Sequence, residues 1–182
     1  ERDLSSDVCS SDLAAVKTDG NGQAPERTQP PILIQAQYMK DLSFEAPGAP
    51  AVFTLLQNNK PDIQVRVDVH ANTLGENTYE VILHLRADCK VADSVAFVVE
   101  LSYAGLFALN VPAEHRRPVL MIECPRLLFP YARKIVADAT LEGGFLPLML
   151  APLDFVQLYQ RQQQESAGER SFGDAEGEIK LV

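Results

Sequence analysis

Apolar and polar residues alternate strictly through much of the first half of the chain. Over Asp62–Ala71, Ile63, Val65, Val67 and Val69 fall on one side and Gln64, Arg66, Asp68 and His70 on the other. That is the period-two signature of a strand with one buried face. Thr78–Lys90 repeats it, with Val81, Leu83, Leu85, Ala87 and Cys89 inward and His84, Arg86 and Asp88 outward. Ser94–Leu109 turns Val95, Phe97, Val99, Leu101 and Tyr103 inward and Ala96, Val98, Glu100 and Ser102 outward, with Gly105 marking a bulge or bend. An earlier strand begins near Ile32, and from Lys40 it sets Leu42 and Phe44 against Asp41, Ser43 and Glu45. Pro47 and Pro50 end it. The stretch to Pro61 reads as a turn-rich connector in which Phe53, Leu55 and Leu56 are apolar islands. Short links at Asn72–Asn77 and Val91–Asp93 imply an antiparallel sheet with one wet face.

The period changes in the second half. After a loop over Ala108–Arg117, Leu128, Ala132, Ile135 and Ala139 recur at helical spacing, with Leu127 and Tyr131 beside them. Pro125 suits a first helical turn, Pro130 implies a kink or a delayed start, and Gly143-Gly144 is a stop. Phe145–Leu153 is too apolar for an ordinary loop, and Pro147 and Pro152 keep it extended. Asp154 caps a second helix over Phe155–Ser166 that ends near Gly168. The expected fold class is α+β: a four-stranded antiparallel sheet followed by two helices packed on one face. The apolar unit Glu123–Phe155 either completes a core or forms a surface between subunits.

The length of 182 residues fits one domain with tails. Residues 1–30 are polar and expected to be a disordered extension, residues 31–164 the folded domain, and residues 165–182 a flexible acidic tail. The first thirteen residues carry a small internal echo, DLSSD then SSDL, and match nothing that follows. They read as a non-native or irrelevant extension. A net charge of −9 and a pI near 4.8 argue against nucleic acid and anionic membranes and favour partners with basic surfaces. Three unpatterned cysteines suggest neither disulfides nor zinc. The sequence shows no signal peptide, and its apolar runs are too short to span a bilayer. The expectation is a cytoplasmic protein with no direct membrane insertion.

No nucleophile, phosphate-loop, dinucleotide or metalloprotease motif is present, so no enzyme activity, cofactor or metal is expected. His70 and His84 read as solvated, His115 beside Arg116 and Arg117 as a loop residue or a weak anion site, and Cys124 as structural. Two surfaces remain. Asp41 and Glu45, with Val98 and Glu100, form an acidic patch if their strands are neighbours: a solvated face or a docking surface for a basic partner. Ile63, Val65 and Val67 are core or one wall of a groove whose other wall is Phe155, Leu158 and Tyr159.

YMKDLSFEAPGAP, YEVILHL, CPRLLFPYAR and LAPLDF, in that order and spacing, resemble the SecB protein-export chaperones over roughly Ile32–Gln164. The resemblance implies a homotetramer, a dimer of dimers with helices between two sheets. It implies an ATP-independent holdase that keeps unfolded preproteins in the cytoplasm and passes them to the SecA motor. It assigns Asp41, Glu45, Val98 and Glu100 to the face that meets SecA's basic, zinc-binding C-terminal peptide. Ile63, Val65, Val67, Phe155, Leu158 and Tyr159 fall to the client groove, with Phe53 in its aromatic part. The chain has no Trp, where some family members carry one in the crossover loop; here that loop reads LLQNNKP. The alternatives are a small-molecule-binding or enzymatic α+β domain, and a chaperone of the same fold dedicated to a toxin–antitoxin partner.

Overall fold

The computed structural model describes residues 30–173, with side chains to residue 164. The expected N-terminal extension through residue 29 and the end of the acidic tail from residue 174 lie outside the described residues.

Four strands form the sheet: β1 (Ile32–Glu45), β2 (Asp62–Thr73), β3 (Thr78–Val91) and β4 (Ser94–Leu109). Their order is β1-β4-β3-β2, with every pairing antiparallel. β3 and β4 are therefore central and bury most of their apolar sides. Val81, Leu83, Val99 and Phe107 are all essentially inaccessible. Each such side chain contributes about 1.5–3 kcal/mol by leaving water.

Register shifts fall in β1, between Ile34 and Ala36 and between Met39 and Asp41, and in the β3–β4 pair between Cys89 and Lys90, rather than at Gly105 as the sequence suggested. Gly105 pairs regularly with Val81 and Gln37. Its glycine answers to close approach instead. A Cβ there would lie 2.7 Å from the Phe107 ring and 2.9 Å from Leu128.

The connector after β1 is a helix, α1 (Ala51–Asn58), not a loop. Val52 is buried, and Phe53, Leu55 and Leu56 pack against the core at one-turn spacing. Eight residues rarely hold a helix alone, so tertiary burial supplies what the local sequence lacks.

The expected loop before the main helix is also helical. α2 (Ala113–Pro118) runs through a single π turn, Val119–Glu123, into α3 (Cys124–Glu142). In that turn the Cys124 N–H reaches back five residues to the Val119 carbonyl. α3 continues across Pro130 without a break and packs on β4, β3 and β1. Its buried stripe is Cys124, Leu128, Ala132, Val136 and Thr140, with Ile135 and Ala139 half-buried beside it.

Gly143 and Gly144 stop α3 as expected, with Gly144 at a φ of 84°. The crossing, Phe145–Leu153, is extended and ends at Asp154. Oδ1 of Asp154 accepts the amides of Val156 and Gln157 at 2.9 and 3.1 Å, capping α4 (Phe155–Gly173). α4 runs past Gly168 and packs mainly on the π turn.

Candidate functional site

The two faces of the sheet carry opposite chemistry. On the outer face, pairing aligns residues into rows across the strands. Asp41 sits beside Ser102, then His84, then Asp68. The next row is Ser43, Glu100, Arg86 and Arg66, and the one after it Glu45, Val98, Asp88 and Gln64. The four residues expected to form an acidic patch are thus neighbours, because β1 lies against β4.

The patch is less uniformly acidic than its sequence suggested. Arg86 hydrogen-bonds Glu100 and holds Asp88 through Nη2 at 2.8 Å. The guanidinium keeps the Asp88 carboxyl below its ordinary range, and Asp88 in turn raises Arg86. His84 Nδ1 lies 2.9 Å from the Ser102 hydroxyl, and its ring meets His70 edge-on at 5.0 Å. Burial, then the neighbouring His70, push the His84 imidazole down from its ordinary value. A hollow of about 260 Å³ opens among Asp41, Asp68, His84, Arg86, Glu100 and Ser102.

Further along the same face, Glu80 is 7% exposed yet charged. It accepts from Lys40 Nζ at 2.8 Å, the Tyr38 hydroxyl at 2.5 Å and Asn72 Nδ2 at 3.1 Å. Lys40 and then Tyr38 and Asn72 hold its carboxyl down to about 2. Glu80 thereby ties β1 and β2, the two edges, to β3.

The inner face ends in an apolar cavity of about 430 Å³ lined by Phe53, Ile63, Cys89, Phe97, Phe145 and Leu148. The Phe145 ring lies 5.1 Å from Phe53, 5.0 Å from Phe97 and 6.1 Å from Phe44. This phenylalanine cluster supplies an aromatic wall without a Trp. Ile63 and Val65 stay 40% exposed and Val67 is half-buried, so the inward row of β2 is left partly uncovered. β2 meets the π turn, and the π turn meets α4. Leu158 and Tyr159 are half-buried there, whereas Phe155, at 1% exposure, stands edge-on to Phe129 inside the core.

Neither described cysteine is poised for chemistry: both are buried and raised by burial, Cys124 to about 12. Among the described residues no three His, Cys, Asp or Glu side chains converge as a metal site. No helix of the described chain is long and apolar enough to cross a membrane.

Residues 25–166 match the family model for preprotein translocase subunit SecB. The chain belongs to the SecB family. It is 50% identical over 145 residues to the protein-export protein SecB of Paramagnetospirillum magneticum, covering 80% of this chain and 94% of that one. It is 52% identical over 151 residues to the protein-export protein SecB of Rhodopseudomonas palustris strain TIE-1, covering 82% and 95%. Among solved structures it is similar to a SecB-like chaperone of Mycobacterium tuberculosis in complex with a peptide from the HigA1 antitoxin. The TM-score is 0.52, at 18% identity, over 68% of this chain and 91% of that one. That likeness shows the α+β fold. Sequence reasoning had missed Arg86 and Phe145 as parts of the two surfaces. The outward alternation of β3 and β4, which sets Arg86 and Glu100 on one face, was the signal for Arg86, and the apolar start of the crossing was the signal for Phe145.

Proposed function

We propose that this chain is an ATP-independent export chaperone. It holds unfolded preproteins in the apolar groove and presents its acidic sheet face to the SecA motor. The observation that carries this reading is the exposed row of Ile63 and Val65 running into the phenylalanine-lined cavity. Such a surface suits extended apolar polypeptide, which native proteins keep buried. Phe155 supports the groove from beneath, while Leu158 and Tyr159 meet clients at its far wall. Identity near 50% to export proteins over most of the chain favours export over an antitoxin-dedicated role.

The working form is a homotetramer, a dimer of dimers, in the cytoplasm. β1 is an edge strand, and Met39, Tyr131 and Leu141 are each more than half exposed beside it and along α3. Burying that apolar face between copies, with helices between two sheets, accounts for it. Repeated grooves then bind one client at many weak points, giving avidity without sequence specificity.

Docking and client capture use separate faces. Asp41→Lys with Glu100→Lys abolishes SecA binding and leaves client capture intact, read by pull-down and by suppression of aggregation. Survival of SecA binding in the double variant contradicts the assignment of the face.

A further inference from the structure

Arg86 stands in the middle of the acidic face, between Glu100 on β4 and Arg66 on β2. Its guanidinium is divided between two carboxylates. The Nε and Nη2 edge lies on Asp88, with Nε at 3.0 and 3.2 Å from the two oxygens and Nη2 at 2.8 Å. Nη1 alone reaches Glu100. Asp88 is held a second time by Arg66 at 3.2 Å.

The two contacts differ in exposure. Asp88 keeps 15% of its side chain exposed, whereas Arg86 and Glu100 keep 42% and 43%. A bidentate, sheltered pair is the stronger of the two, and an exposed single contact opens easily. A cation arriving from solvent meets the same Glu100 carboxylate, over the hollow that Asp41 and Asp68 flank.

We propose that Arg86 is a built-in competitor at the docking face, occupying Glu100 until a partner's basic side chain takes its place, while Asp88 retains the displaced guanidinium. The inference rests on the docking reading above and adds a specificity device to it. A partner must bring enough positive charge to displace an internal arginine, so weakly basic chains are rejected. The exchange conserves ion pairs, which keeps docking reversible.

The test measures binding of a short synthetic lysine-rich peptide, and of purified SecA, to the full chain and to Arg86→Gln across a salt series. The inference expects Arg86→Gln to bind both about two- to fivefold more tightly, the range that opening one exposed ion pair supplies. It also expects a steeper loss of affinity with salt, because the face is one charge more negative. Arg86→Lys, which keeps the charge and removes the fork, falls between the two. Client capture, on the opposite face, reports that each variant is folded. Equal or weaker binding by Arg86→Gln, beside a wild-type protein that does bind, overturns the inference: Arg86 then only orients Glu100. Failure of both proteins to bind either probe overturns the docking reading itself.

Discussion

The amide N–H of Leu148 donates to the Thr140 hydroxyl at 2.9 Å. Thr140 is fully buried on α3, and its Oγ1 also lies 3.0 Å from the Ala137 carbonyl and 3.1 Å from that of Val136. One hydroxyl thus accepts from the crossing and donates to the helix. It pins the crossing where Phe145 and Leu148 line the apolar cavity. Thr140→Val keeps the shape and strands the Leu148 amide. The expected cost is about 1–3 kcal/mol in denaturant unfolding, with faster hydrogen exchange at Leu148. Thr140→Ser retains most of the stability.

Glu80 predicts an acid-dependent tie across the sheet. Its folded carboxyl lies at about 2, against an ordinary 4.5. A depressed carboxyl stabilises the fold fully above its unfolded value, and that contribution fades as pH falls through the folded value. Glu80→Gln therefore lowers the melting temperature at neutral pH. The gap to wild type closes between about pH 4.5 and 2, measured by thermal unfolding across that range. A gap independent of pH rules out the charge as its source.

Gly105 is a packing requirement. In Gly105→Ala the new methyl presses on Phe107 and Leu128, so α3 lifts from the sheet. Destabilisation of about 1–3 kcal/mol is expected in chemical unfolding.

Val65 separates groove from core. At 40% exposure a carboxylate there stays hydrated, so Val65→Asp shifts folding stability by about 1 kcal/mol or less. Capture of an unfolded client falls roughly tenfold, a loss of about 1.4 kcal/mol in binding. Loss of the folded state or of the assembly instead assigns the β2 row to the core.

Much of this was legible in the sequence, and the exceptions have physical causes. Alternation located the four strands nearly to the residue, because one face of each is apolar. The Asp154 cap and the Gly143 stop followed from local chemistry. α1 was hidden by Pro47, Pro50 and a polar run, although Val52, Phe53, Leu55 and Leu56 carried helical spacing. α2 and its π turn were hidden by Pro118 and three adjacent basic residues, and α2 itself buries no side chain.

Arg86 was hidden by register. Continuing the β3–β4 turn without a bulge sets Arg86 opposite Val99, a buried position. The shift after Cys89 sets it opposite Glu100. The outer-face pattern required such a shift, since a one-residue slip exchanges the faces of a strand. The placement of Phe155 in the core rather than on the surface was not legible. Its apolar neighbours fit either position, and only the packing against Phe129 decides between them.

In the proposed function, copies of this chain assemble to hold unfolded polypeptide. Light scattering, with and without a denatured precursor added by dilution, tests it most directly. The expected mass is near four times 20.0 kDa, rising when the unfolded precursor is present and unchanged by its folded form. A monomer indifferent to the unfolded precursor overturns the chaperone assignment.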